Sequence, residues 1–111
     1  MTVPRFGRIT PMQWHVLNLI GYTIGRGHVG LDIPEDERLA NMRDGREALV
    51  GATGQDLGYD LAAWHDYLRT RPDTGYTHPY GYSGVRRAVE EALNEPERLR
   101  LVQRLGAEGG D

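Results

Sequence analysis

The chain has 111 residues, a length typical of one domain, and its 15 glycines indicate a folded protein with generous loops. It has no cysteine, which excludes disulfides and thiolate-bound metals, and its net charge of -3 comes from interleaved signs rather than the basic stripe of a nucleic-acid binder. No apolar run approaches the roughly 18 residues of a membrane span, and the N-terminus lacks the apolar core of a signal peptide. We therefore expect one cytoplasmic domain over residues 1–111, without nucleic-acid or membrane partners.

The N-terminal third of the chain predicts one short helix followed by a loop. Thr10, a proline and then Gln13 have the order of a capping box, which predicts a helix over residues 11–20. Closely spaced glycines then indicate a loop over residues 21–30, with one short extended piece near its start. Residues 1–8 are expected to fray.

The middle of the chain predicts two helices joined by a tight polar turn. A helical region begins near Pro34, and it can be one helix or two because Gly45 weakens its centre. The turn over residues 51–59 follows. Asp60 then has the character of an N-cap for a helix over residues 61–70, whose apolar residues recur at helical spacing.

The C-terminal third predicts a long loop and two more helices. The loop covers residues 72–84, and Ser83 is a suitable N-cap for the helix that follows. Pro96 separates that helix from the last one, which Gly106 is expected to stop, so that residues 107–111 fray. The predicted fold is all-α: a small domain of five or six short helices with two loops rich in glycine or tyrosine.

The loop over residues 72–84 is the best candidate for a functional surface. Tyrosine supplies rigid, amphipathic contact area and glycine lets a loop adapt, a mixture that binding loops use. Aromatic residues are also enriched at interface hot spots. The alternative is that two of the three tyrosines in this loop pack back onto the core and hold the loop in place. The candidate partner contacts, including residues at the margin of the loop, are Tyr76, His78, Tyr80, Tyr82, Asp56, Tyr59, Arg86 and Arg87.

Catalytic constellations are sparse, and the sequence predicts no cofactor. The four histidines do not stand at the spacing of a metal motif. Ser83 is the only serine, and no histidine base lies near it in sequence, so a Ser-His-Asp triad is not expected. The enzymatic alternative is a metal-dependent hydrolase or nuclease in which His65, Asp66, His78 and Asp56 meet in space.

The segment from Arg46 to Trp64, REALVGATGQDLGYDLAAW, resembles a recurring bacterial pattern. In that pattern a helix ends in T-G-Q-D, and an aromatic residue or leucine and a glycine lead into a D-x-x-A-W helix. It is similar to the ends of HEAT-type helical repeat arrays and to small bacterial proteins; Leu57 stands where phenylalanine is more frequent. The resemblance implies a helical hairpin and a protein-binding scaffold, and it brings no catalytic residues.

These observations favour a non-enzymatic protein that binds another protein. Small, acidic, cysteine-free proteins of this design also resemble bacterial immunity proteins and antitoxins, in size and composition. The sharpest hypothesis is therefore an immunity-type protein that occludes the active site of a toxin domain. A further alternative is an accessory subunit of a larger bacterial assembly, docked through the helix that carries Trp14.

Overall fold

A computed structural model describes residues 9–25, 28–30 and 33–108, and it confirms the all-α fold. The described residues form five α-helices and one 3₁₀ turn: α1 (Pro11–Ile20), α2 (Glu35–Thr53), α3 (Leu61–Arg69), the 3₁₀ turn (Pro72–Thr74), α4 (Tyr82–Leu93) and α5 (Pro96–Glu108). None of these described helices is long and apolar enough to cross a membrane. The fraying predicted for residues 1–8 and 109–111 lies outside the described residues.

A two-stranded hairpin follows α1, where the sequence predicted a loop with one extended piece. Its strands are β1 (Thr23–Gly25) and β2 (His28–Gly30), and they pair antiparallel with Thr23 opposite Gly30. The prediction was incomplete because each strand has only three residues and one of the three is glycine, which gives little strand character in the sequence. The hairpin does not alter the fold class.

Helix α1 lies at the centre of the molecule, in contact with α2, α3 and α4. The predicted capping box at Thr10 and Gln13 is present: Thr10 Oγ1 accepts from the Gln13 N–H, and Gln13 Oε1 accepts from the Thr10 N–H. Apolar side chains from α1, α2, α3 and α4 and from the segment between the last two contribute to the main core, whose largest fully buried members are Trp64, Tyr76, Leu17, Leu19, Ile20, Leu49, Leu61 and Leu68.

Helix α2 is one continuous helix of 19 residues, and Gly45 does not divide it. Gly45 is buried where α2 crosses α1, against the backbone of Asn18 and Leu19. The propensity cost of a glycine in a helix, up to about 1 kcal/mol, is here offset by the close approach that the missing side chain allows.

A turn joins α2 to α3 as predicted, but it is shorter than residues 51–59 because α2 continues through residues 51–53. Helix α2 ends at Thr53, and Gly54 follows in the left-handed conformation with φ of 75°. Asp60 Oδ1 accepts from the Ala63 N–H at 3.0 Å, which is the predicted N-cap of α3. The indole N–H of Trp64 donates to the carbonyl oxygen of Gly58 at 2.9 Å and ties the turn to the core.

Two predicted helix limits in the C-terminal third are wrong. Helix α4 begins at Tyr82, with Gly81 in the left-handed conformation as its N-cap, so Ser83 lies exposed within the first turn instead of capping it. Helix α5 continues through Gly106 to Glu108, because one glycine weakens a helix without ending it.

Two buried arginines form hydrogen bonds with the C-terminal end of α1. Arg38 donates from Nη2 to the carbonyl oxygen of Ile20 at 3.2 Å, and Arg98 donates from Nη2 to that of Leu19 at 3.3 Å. Their positive charges suit the negative end of the helix. Glu95 balances one charge through a two-point pair with Arg38 at 2.9 and 2.7 Å. Burial lowers the pKa of Arg98 to about 10, which reflects the cost of keeping this second charge in the interior.

Candidate partner-binding loop

The segment over residues 75–81, between the 3₁₀ turn and α4, is fastened at its base to the start of α1; we call it the aromatic loop. The fully buried Gln13 donates from Nε2 to the carbonyl oxygens of Tyr76 and His78, at 2.9 and 3.1 Å. Thr10 Oγ1 donates to the carbonyl oxygen of Gly75 at 2.9 Å. Three hydrogen bonds thus join the loop backbone to the cap of a central helix.

Tyr76 is fully buried and serves the loop as an anchor. Its hydroxyl oxygen lies 2.7 Å from His65 Nδ1, and its ring meets the rings of His65 and Tyr82 edge to face, each with centroids 5.6 Å apart. Burial raises the pKa of Tyr76 and lowers that of His65. Tyr76 has no accessible surface in this conformation, so a partner would reach it only if the loop opened. Tyr82 is half-buried beside it.

The tip of the aromatic loop, His78–Pro79–Tyr80, is exposed. Tyr80 has 55% of its surface accessible, which makes it the most exposed large hydrophobic residue in the described part of the chain. Its ring lies 4.9 Å from that of His78, centroid to centroid, and its N–H donates to His78 Nδ1 at 3.2 Å. The two rings are therefore held as one unit above an anchored base.

An apolar cleft adjoins the base of the loop. It is lined by Ile9, Thr10, Pro11 and Trp14, and Thr10 also bonds the loop at Gly75. Trp14 is half-buried, so part of its indole remains accessible. Thr10 therefore connects the cleft to the loop, and the two lie side by side at the same end of α1.

Arg86 and Arg87 are exposed on α4, in the turn that follows Tyr82. The Arg86 charge is close enough to His65 to lower its pKa, which places this arginine on the same side of the molecule as the buried anchor. Charged groups beside an aromatic centre commonly form the polar rim of an interface.

Asp56 and Tyr59 belong to a different contact group. Asp56 accepts two hydrogen bonds from Arg46, at 3.1 and 2.8 Å, and the Arg46 guanidinium stands 5.0 Å from the centroid of the Tyr59 ring. The guanidinium lowers the pKa of the Asp56 carboxyl. In the described residues these contacts tie the α2–α3 turn to α2, and none of them joins the aromatic loop.

The residues of the metal hypothesis do not meet. Within the described ranges, no group of three or more His, Asp or Glu side chains could hold a metal ion. Asp56 pairs with Arg46, Asp66 pairs with Arg69 at 3.6 Å, His65 contacts Tyr76, and His78 contacts Tyr80. Each of the four side chains therefore has a separate structural contact.

Sequence reasoning missed the residues that hold the loop. Gln13 was recognised as a capping residue, but its amide also reaches a loop 63 residues away. His65 was expected on a solvated helix face or as a metal ligand, and not as the partner of Tyr76. A capping box signals a contact within one helical turn, and no local pattern could have indicated the second partner of either side chain.

Comparisons with protein-family models, with curated proteins and with solved structures found no match for this chain. The resemblance of residues 46–64 to helical repeat ends thus stays a prediction. Any function must be argued from the geometry of the loop and the surfaces beside it.

Proposed function

We propose that this chain is a non-enzymatic protein that binds another protein through the tip of the aromatic loop. The observation that carries the proposal is the exposed His78–Tyr80 ring pair standing on a base hydrogen-bonded to the buried Gln13. Tyr80 supplies the central contact, and Arg86 and Arg87 contribute charges at the edge. Asp56 and Tyr59 would take part only in a partner broad enough to reach the α2–α3 turn.

A fixed aromatic tip is well suited to binding because ordering a loop opposes association. Immobilising one flexible side chain at an interface costs about 0.5–1.5 kcal/mol, and a loop backbone adds to that cost. The contacts at Gly75, Tyr76 and His78 order this loop before any partner arrives. Most of the contact energy of Tyr80 would therefore appear as affinity.

The biological role we propose is that of a cytoplasmic immunity-type protein, which covers the active site of a bacterial toxin domain. An exposed aromatic anchor can fill a concave active site, while surrounding charges select the cognate toxin. Size, acidity and the absence of cysteine support this class of protein. The apolar cleft at Trp14 supports the alternative of an accessory subunit, because it offers a second docking surface.

The test is quantitative affinity capture from cells that express the chain natively, with wild type and Tyr80→Ala compared by mass spectrometry. The matched control is Leu99→Ala, because Leu99 on α5 is exposed to a similar extent, 51% against 55%. A stoichiometric partner that is lost with Tyr80→Ala and kept with Leu99→Ala supports the proposal. Equal capture by both variants would reject the loop as the binding surface.

The role is tested with the captured partner itself. A partner that arrests growth when expressed alone, and is harmless when co-expressed with this chain, supports the immunity-type function. A partner that is harmless alone favours the accessory subunit, for which a variant at Trp14, such as Trp14→Ala, should reduce capture more than Tyr80→Ala does.

A further inference from the structure

We propose that the His65–Tyr76 contact makes the aromatic loop sensitive to acid: protonation of His65 removes the acceptor of the buried Tyr76 hydroxyl and weakens the base of the loop. That the weakened loop would also release a partner rests on the proposed function. The His65–Tyr76 contact lies within the described structure, so the response of the loop to acid can be tested without a partner.

When His65 is neutral, its contact with Tyr76 determines which ring nitrogen carries the proton. The Tyr76 side chain is fully buried, and in the described structure its hydroxyl contacts one hydrogen-bonding atom, His65 Nδ1, at 2.7 Å. In neutral histidine one ring nitrogen carries a proton and the other accepts. The hydroxyl is satisfied as a donor when Nδ1 is the unprotonated nitrogen, so this contact selects the tautomer with the proton on Nε2.

Protonation of the ring inverts this arrangement. Both nitrogens of the imidazolium carry hydrogen, so Nδ1 can donate but can no longer accept. The Tyr76 oxygen can turn to accept from Nδ1–H, but the hydroxyl proton is then left in the core without an acceptor. A buried donor without a partner is costly, and the opening of the loop base relieves that cost by exposing the hydroxyl to water.

The surroundings of His65 are mixed in charge. From its own helix Asp66 favours the protonated form and Arg69 opposes it; from α4, Glu90 favours that form and Arg86 opposes it. These opposing charges leave burial as the first cause of the shift, and burial lowers the pKa of His65 from its ordinary value of 6.5. On the Tyr76 side of the contact, the titratable residue Tyr82 packs its ring against that of Tyr76.

The burial of His65 acts in the same direction as the loss of the Tyr76 acceptor. A histidine whose folded-state pKa lies below its unfolded-state value stabilises the fold in its neutral form. The stabilisation is complete above pH 6.5 and is lost as the pH falls through the lowered folded-state pKa. The loop should therefore be fixed at neutral pH and open more often in acid.

The experiment is amide hydrogen exchange of the full chain at pH 7.5 and pH 4.5, with rates corrected for intrinsic exchange. The reporters are the N–H groups of Tyr76 and His78, which donate to Thr74 Oγ1 and to the Gly75 carbonyl oxygen. Because an unsatisfied buried hydroxyl shifts a local equilibrium by about 10-fold, we expect protection of these amides to fall about 10-fold in acid, relative to amides of α2.

Two hydroxyl deletions make the test specific. Tyr76→Phe removes the group that needs the acceptor, so its loop amides should lose most of the acid response, and what remains reports the burial of His65 alone. Tyr82→Phe removes the hydroxyl of the neighbouring ring and should keep the response of the wild type. His65→Gln keeps a hydrogen-bond acceptor that does not titrate, so this variant should show no response to acid at the loop.

The proposal is overturned if wild-type loop protection is the same at both pH values, or if Tyr76→Phe responds as the wild type does. Loss of the response in Tyr82→Phe as well would assign it to ring packing and would equally overturn it. None of these outcomes depends on a partner, and a failed capture experiment would not change the exchange result. The two proposals can therefore fail separately.

Discussion

Gly45 on α2 faces the backbone of Leu19 on α1 so closely that a β-carbon at Gly45 would lie 2.8 Å from the Leu19 α-carbon. The Asn18 carbonyl carbon would be equally close. Both contacts are with the backbone of a central helix, which cannot move aside as a flexible side chain could. Glycine at this position therefore sets the distance between the two helices.

We expect Gly45→Ala to destabilise the protein by about 1–3 kcal/mol, since overpacking outweighs the gain in helix propensity. Gly51 provides the matched control, because it lies on the same helix and a β-carbon there would meet no atom within 4 Å. Gly51→Ala should stabilise the protein by up to about 1 kcal/mol. Urea unfolding of both variants measures the difference, and two equal free energies of unfolding would contradict the close contact.

The same glycine shows which features the sequence could predict. In sequence it indicates only a weak point in a helix, because the second helix that needs the close approach is not visible in local spacing. The caps at Thr10 and Asp60 were predicted correctly because donor and acceptor lie within one turn of each other. The exposed tip of the loop was predicted from its composition. The attachment of the loop base to Gln13 could not be predicted, because the two segments are far apart in sequence.

Asp60→Ala should lower the free energy of unfolding by about 1 kcal/mol, because the Ala63 N–H loses its acceptor. Ser83→Ala is the control: Ser83 was expected to cap α4, but Gly81 occupies that position and Ser83 is exposed. The change at Ser83 should stay within about 0.5 kcal/mol. A loss at Ser83 as large as that at Asp60 would place the start of α4 at residue 84 after all.

Gln13→Ala should destabilise the protein by about 1–3 kcal/mol, because the carbonyl oxygens of Tyr76 and His78 and the Thr10 N–H lose a buried partner. Gln55→Ala removes an exposed amide and should change stability by no more than about 0.5 kcal/mol. Chemical denaturation compares the two. Exchange of the His78 amide should also quicken in Gln13→Ala alone; an unchanged rate would argue that the loop is held elsewhere.

The ion pair between Arg38 and Glu95 should contribute far more to stability than an exposed pair does. Arg38 has 7% and Glu95 has 28% of its side chain accessible, and Arg98 brings a second buried positive charge to the same helix end. Breaking a buried pair by changing one partner costs about 3–5 kcal/mol. Because Glu95 keeps some contact with water, we expect Glu95→Gln to lie near the lower end of that range.

Glu97→Gln is the matched control, because it breaks an ion pair that is exposed to solvent. Glu97 pairs with Arg100 at 2.6 Å, but about half of each side chain is accessible, so solvent screens the pair and the change should have little effect on stability. Unfolding at low and high salt separates the two cases further, since salt screens the exposed pair and leaves the buried one largely intact. If Glu95→Gln proved as mild as Glu97→Gln, the end of α1 would be stabilised by the arginine hydrogen bonds themselves and not by their counter-charge.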